Sequence, residues 1–352
     1  MSSKYYNKIL LTVFTILGVC ISALMFWLQP FLGDLSRIGG FTENDYGWNG
    51  QQKKFTKPHY KIGDSIDDYD QYYDIVTIGD SFSVNQEQSW QNYLALSTNS
   101  TIITFHRQTV TASSLLNHSQ FKETPPKLFI FEIVEHGIQT ALHDITLSHQ
   151  ESNGTLDVTN EFNVEEVNFD SYMQSYTRVT ENKFSMDTAL HYLKINIRQL
   201  LGSRKKVIPY QLKNKRKFFS NRAIDTVLFY HLDNLKLSIT NKEWEIIEKR
   251  FATLQHLSEL NQKTKFLSMV APDKSTAYSG LINDGEKYPS VLDLMPNINR
   301  VNWIDVLGGI NKMIDNEEVD IYLPNDIHWG YKGYYSAYKS TLDALTGISN
   351  QQ

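Results

Sequence analysis

Apolar residues are spread very unevenly along this chain. Positions Ile9 to Leu28 carry no charge. As a helix rising about 1.5 Å per residue, that run is long enough to cross a hydrocarbon layer of about 30 Å. Lys4 and Lys8 precede it, and Asp34 is the first charge after it. The positive-inside rule therefore predicts a cytoplasmic amino terminus and an exported remainder. A cleaved signal peptide would have a shorter apolar core and a small-residue cleavage site. Here Trp27, Gln29 and Pro30 end the run as a membrane interface would. The expectation is an uncleaved anchor over 1–29, followed by a polar, Gly- and Asp-rich linker or wrap over 30–71.

From residue 72 onward the pattern changes. Asp74–Gly79, Thr101–Phe105, Lys127–Val134, Phe266–Val270 and Val301–Ile304 are short β-branched or aromatic runs. Helical stretches alternate with them. One is expected over 89–96 and another over about 333–345. A long one follows the capping box Thr240-Asn-Lys-Glu243, with Trp244, Ile247, Phe251, Leu254 and Leu257 as its apolar stripe. Such alternation predicts an α/β domain over 72–352 with a parallel sheet covered on both faces. Residues 143–225 break the rhythm and read as an insertion. Arg204–Arg222 within it holds eight Lys or Arg. No internal repeat is visible.

Composition narrows the class. At 352 residues with 41% hydrophobic and 21% charged content, the chain can bury a core. The net charge of −5 argues against general nucleic-acid binding. The single Cys lies within the apolar run, so neither a disulfide scaffold nor a cysteine zinc site is open to the exported part. The His spacing suggests no catalytic metal, and no cofactor motif is present. Asn99-Ser-Thr, Asn117-His-Ser and Asn153-Gly-Thr match the N-glycosylation pattern.

Two short segments carry candidate chemistry. Gly79-Asp80-Ser81-Phe82 ends the first strand, where open α/β sheets form sites. A Ser there exposes its hydroxyl, and its own N–H near a following helix suits a developing oxyanion. Serine needs a base within hydrogen-bond reach, and the base needs an orienting group. Asp326-Ile327-His328-Trp329 supplies both. Residues two apart in an extended loop point the same way. Asp326 can then hold one ring nitrogen of His328 while the other faces Ser81. Alone, each segment also reads as an ordinary turn or solvated loop; the conjunction is what carries information.

Together these residues resemble the SGNH (GDSL-type) hydrolase superfamily. Asp326-x-His328-Trp329 resembles the alginate O-acetyltransferase branch in particular. Val270-Ala-Pro-Asp-Lys274 with Tyr278, Trp303-Ile-Asp305-Val-Leu307 and Phe131-Glu132-Ile-Val-Glu135 are also similar to that branch. The resemblance covers about residues 72–140 and 240–346. It implies an SGNH-like three-layer α/β/α fold and a Ser81-His328-Asp326 triad. It further implies acetyl transfer to a polysaccharide outside the cytoplasmic membrane, with a membrane-bound O-acyltransferase as donor partner. Four features depart from the family pattern. The Asp/His segment follows the Ser segment instead of preceding it, no glycine follows the second strand, no clear block-three Asn is present, and His136 stands where that branch would have Arg. Asn85, Gln108, His136 and Trp329 are the candidates for remaining oxyanion or substrate contacts. Tyr331, Tyr334 and Tyr335 read first as core packing and second as the lining of an acceptor groove.

Three functions are compatible with this reading. The first is a membrane-anchored polysaccharide O-acetyltransferase. The second is a carbohydrate esterase using the same triad with water as acceptor. The third is a non-catalytic scaffold or glycan-binding subunit of an export complex. Separately, Arg204–Arg222 reads either as a solvated insertion or as a contact for an anionic polymer or lipid headgroups near the anchor.

Overall fold

The computed structural model describes residues 3–146, 162–178, 185–213, 216–283, 288–295 and 302–346. Asn153 lies outside these residues, as do Lys215 of the basic stretch and Val301. Among the described residues the fold is mixed α/β, with one parallel sheet and two small antiparallel ones. In chain order the strands are β1 (Gln52–Phe55), β2 (Lys61–Gly63), β3 (Ile75–Gly79), β4 (Ile102–His106) and β5 (Leu128–Val134). They continue as β6 (Met173–Tyr176), β7 (Val207–Gln211), β8 (Thr226–Tyr230), β9 (Lys265–Ala271) and β10 (Trp303–Ile304).

Six of them form the parallel sheet in the order β10-β9-β5-β3-β4-β2. Every residue of β3, β5 and β9 is buried, as a sheet covered on both faces requires. Alternate residues feed two separate clusters. Ile75, Leu128, Ile130, Leu267 and Met269 join Trp90, Ile310 and Tyr334 from the helices Trp90–Thr98, Val306–Asp315 and Tyr331–Thr346. Val76, Ile78, Phe129, Phe131 and Phe266 join Trp244, Ile247, Phe251 and Leu254 from the helix Asn241–Glu259. The predicted capping box closes that helix: Thr240 Oγ1 accepts from Glu243 N, and Glu243 Oε2 accepts from Thr240 N.

Two segments carry elements that the sequence pattern did not announce. The stretch 30–71 does more than link, because its β2 is the edge strand of the main sheet and its β1 pairs with β6. Its polar, short runs carry no alternation strong enough to announce strands. The stretch 143–225 holds β6, the helix Met186–Leu200 and β7, and β7 pairs antiparallel with β8 just beyond it.

The helix Ser3–Trp27 contains one stretch, Lys4–Trp27, long and apolar enough to cross a membrane. Among the described residues its C-terminal end is the part that packs on the rest of the chain. There Ile21, Leu24, Met25 and Leu28 pack on Ala189 and Tyr192.

Candidate active site

The strand order reverses at β3, which has β4 on one side and β5 on the other. Loops at the carboxyl ends of such a point diverge and leave a crevice. Ser81 lies there, two residues past the end of β3, and is exposed. Its turn is held from beneath by two carboxyls. Asp80 Oδ1 accepts from Phe82 N (3.0 Å) and Asp80 Oδ2 from Val134 N (2.7 Å), which ties the turn to the end of β5. Glu132 Oε2, from the middle of β5, accepts from Asp80 N and from Ser83 Oγ, both at 2.9 Å. Burial, with Asp80 beside it, pushes the Glu132 carboxyl well above the ordinary range. Gly79 allows this approach, because a Cβ would collide with Ser83 and with Glu132.

The helix expected over 89–96 is found at Trp90–Thr98, but a turn over 81–83 follows β3, so no helix N-terminus lies at Ser81 as its oxyanion role would use. A helix dipole therefore does not assist Ser81. Phe82 N and Ser83 N are engaged by Asp80. Ser81 N donates to no group among the described residues and remains available to an incoming oxygen.

His328 faces Ser81 from the opposite wall. Its Nε2 lies 2.7 Å from Ser81 Oγ, and its Nδ1 lies 2.7 Å from Asp326 Oδ1. Asp326 Oδ1 also accepts from His328 N at 3.0 Å, so the carboxylate fixes both ring and backbone. Burial disfavours the charged imidazolium. The Asp326 carboxylate outweighs it, with Asp34 and Asp80 adding to the effect, and His328 is raised above its ordinary 6.5. Asp326 is held below the usual carboxylate range: burial opposes this, but its bonds to His328 and to Asp34 N prevail.

Three supports were not evident from the sequence. Lys274 is buried at the start of the helix Lys274–Tyr278. Its ammonium donates to the carbonyls of Leu323 (2.8 Å), Pro324 (2.9 Å) and Asp326 (3.3 Å). It thereby sets the path of the Asp326 loop. Burial lowers its pKa to about 7 against the pull of Asp326 and Asp320. The second support is the segment just after the apolar helix. Asp34 N donates to Asp326 Oδ2 (3.2 Å), and Leu35 N and Ser36 N donate to Asn325 O. Third, Glu43 receives the Asn325 side-chain amide at 2.9 and 2.8 Å and also accepts from Leu32 N, Gly33 N and Ser36 Oγ. Gly33 is required by this contact, because a Cβ there would overlap the Asn325 carbonyl. The one available signal was Lys274, an ionisable side chain three residues past the end of β9 in the Val270–Lys274 segment.

The other sequence candidates fall in different places. Trp329 is fully buried, packed on Phe82 (ring centroids 4.6 Å) and Tyr334 (5.4 Å). It anchors the His328 loop and cannot touch substrate, which corrects the substrate-contact expectation. The Asn85 side-chain amide donates to Gln88 Oε1 at 3.3 Å. Gln108 is exposed in the turn after β4. No contact among the described residues joins Asn85 or Gln108 to Ser81. Tyr334 belongs to the core, whereas Tyr331 and Tyr335 line a groove of about 400 Å³ with Tyr93 and Phe169.

His136, beyond β5, belongs to a buried charge cluster. Its Nδ1 is 2.6 Å from Asp273 Oδ1 and 3.7 Å from Asp233 Oδ1. Lys236 Nζ bonds Glu135 (2.6 Å) and Asp273 (3.2 Å). Burial would depress His136, but Asp273 and Asp233 push it up to about 9. Burial and Asp273 push Asp233 up to about 8. His136, Asp233 and Asp273 have ligand-type atoms within 4.8 Å, as do Asp34, Asp326 and His328. In both groups the imidazole is already bonded to a carboxylate. In the first, the Lys236 ammonium adds a positive charge that opposes a dication.

The His136 shift has a measurable consequence. A base whose pKa rises from about 6.5 to about 9 on folding stabilises fully below pH 6.5 and loses that contribution as pH climbs through 9. Asp233 acts in the same direction up to pH 8. The melting temperature of the full chain should therefore fall between pH 6.5 and 9, with His136 accounting for roughly 3 kcal/mol. His136→Gln should lower the melting temperature at pH 6.5 and flatten the decline. An equally steep decline in that variant would reject the assignment.

No protein-family model, curated protein or solved structure matches the chain.

Proposed function

We propose that this protein is a serine-dependent O-acyltransferase of SGNH-like three-layer α/β/α architecture, anchored in the cytoplasmic membrane with its domain on the exported side. It moves an acetyl group to a cell-surface or exported polysaccharide. The observation that carries this reading is the relay Ser81 Oγ–His328 Nε2 and His328 Nδ1–Asp326, with both steps at 2.7 Å. In it, Ser81 Oγ attacks the acetyl carbonyl and passes its proton to His328 Nε2. Ser81 N stabilises the oxyanion. Collapse expels the donor's leaving group, which takes the proton from His328, and leaves an ester on Ser81. A sugar hydroxyl then attacks that ester, and its proton returns through His328 to Ser81. A membrane-bound O-acyltransferase is the partner that would supply the acetyl group.

A second reading has an observation of its own. Ser81 is open to solvent, so water can reach the acyl ester, and the same residues would then act as a carbohydrate esterase. Partition of the acyl group separates the two. With a chromogenic acetyl ester as donor, adding acceptor oligosaccharide should divert the acetyl group from free acetate to sugar ester. Acetate release that no oligosaccharide diminishes would reject transfer in favour of hydrolysis.

A further inference from the structure

We infer that the helix Met186–Leu200 and the basic pocket beside it form an interfacial site for the phosphate headgroup of an anionic membrane lipid. The inference rests on the Lys4–Trp27 stretch spanning the membrane and is independent of the chemistry at Ser81.

The helix presents three different surfaces. Ala189 and Tyr192 pack on the C-terminal end of the apolar N-terminal helix, against Met25 and Leu28. Chain connectivity therefore holds this helix at the level where a spanning segment leaves the hydrocarbon. A second surface is apolar and uncovered: Met186, Leu190 and Ile197 share one side of the helix, and Leu200 and Leu201 continue it at 86% and 80% exposure. Such a side, on a helix also bearing Lys194 and Arg198, is the form of a helix lying in a headgroup layer.

The third surface is a pocket of about 430 Å³. Arg37, Arg198, Arg204 and Lys206 line it, with Ile38 and Ile195 as apolar wall, and no carboxylate is in its lining. Arg37 is paired with Asp34 at 2.5 Å. Arg198, Arg204 and Lys206 have no carboxylate partner among the described residues. Three such cations without a carboxylate partner among the described residues, beside an apolar helix face, fit a phosphodiester whose acyl chains lie along that face. Guanidinium groups match phosphate geometry. The same segment reaches the catalytic loop, since Arg37 lies within the helix Asp34–Gly39, whose first residue bonds Asp326. Lipid held here would fix the height of the Ser81 site above the bilayer.

Native mass spectrometry of the full chain in mild detergent tests this, with phosphatidylglycerol and phosphatidylcholine at equal concentration. The expected result is preferential retention of phosphatidylglycerol. Each neutralised cation should cost about fivefold, so R198A/R204A/K206A should lose on the order of a hundredfold of that preference. R198K/R204K, which keeps the charges, should retain most of it. Equal retention of the two lipids would overturn the inference, as would an unchanged preference in the triple alanine variant. Displacement of phosphatidylglycerol by millimolar inorganic phosphate would show a site for free phosphate instead of lipid. Because lipid retention does not involve Ser81, failure here and failure of the acyltransfer reading are separable.

Discussion

Replacing Ser81 with alanine should lower kcat for acyl transfer by about five to six decades, the scale expected when the nucleophile of a relay is removed. The fold should not notice. Ser81 is exposed, and its Oγ contacts His328 alone among the described side chains. The turn itself is fixed by Asp80, Glu132 and Ser83. Stability should therefore stay within about 0.5 kcal/mol of the parent, as for other surface changes remote from buried networks. Polymer acetylation in cells and ester turnover in vitro should vanish together at normal protein level. Retained acetylation in Ser81→Ala would reduce the protein to a scaffold.

Asp326→Asn should lower kcat by about four decades, because an amide no longer fixes the His328 tautomer or stabilises the imidazolium. Its second effect is on pH dependence. His328 must be neutral to accept the Ser81 proton, so kcat/KM falls as pH drops through the His328 pKa. Asp326 raises that pKa, which puts the acid limb of the parent above pH 6.5. Without the carboxylate, burial is the dominant influence left, and the limb should move to lower pH. A variant with reduced kcat and an unmoved acid limb would mean that Asp326 only shapes the loop. That loop role is real as well: Asp326 Oδ2 accepts from Asp34 N, a bond that an amide nitrogen at that position cannot make.

The sequence was readable wherever burial imposes a pattern. β3, β5 and β9 are wholly apolar except at a few positions, and each was found within a residue or two. The helix Asn241–Glu259 announced itself through its capping box and apolar stripe. The pairing of Ser81 with His328 was also legible, because strand-end serine and an Asp-x-His loop make chemical sense only together. What stayed hidden depends on contacts between distant polar residues. Glu43 and Asn325 are 282 positions apart, and nothing in their neighbourhoods predicts that one carboxylate gathers the other's amide and the 32–36 backbone. β2 has three residues and half-buried positions, too little for a period to show. Glu132 reads as one acidic residue in an apolar strand, and its place beneath the Ser81 turn follows only from strand order. Trp329 was misplaced for the opposite reason: beside His328 in sequence, it turns the other way and fills the core.

The most direct measurement is covalent trapping. A serine-directed fluorophosphonate, applied to the full chain at pH 8, should add one label mass, located by peptide mapping on Ser81 and absent in Ser81→Ala and His328→Ala. No adduct, or an adduct that maps to another serine and persists in His328→Ala, would contradict the account.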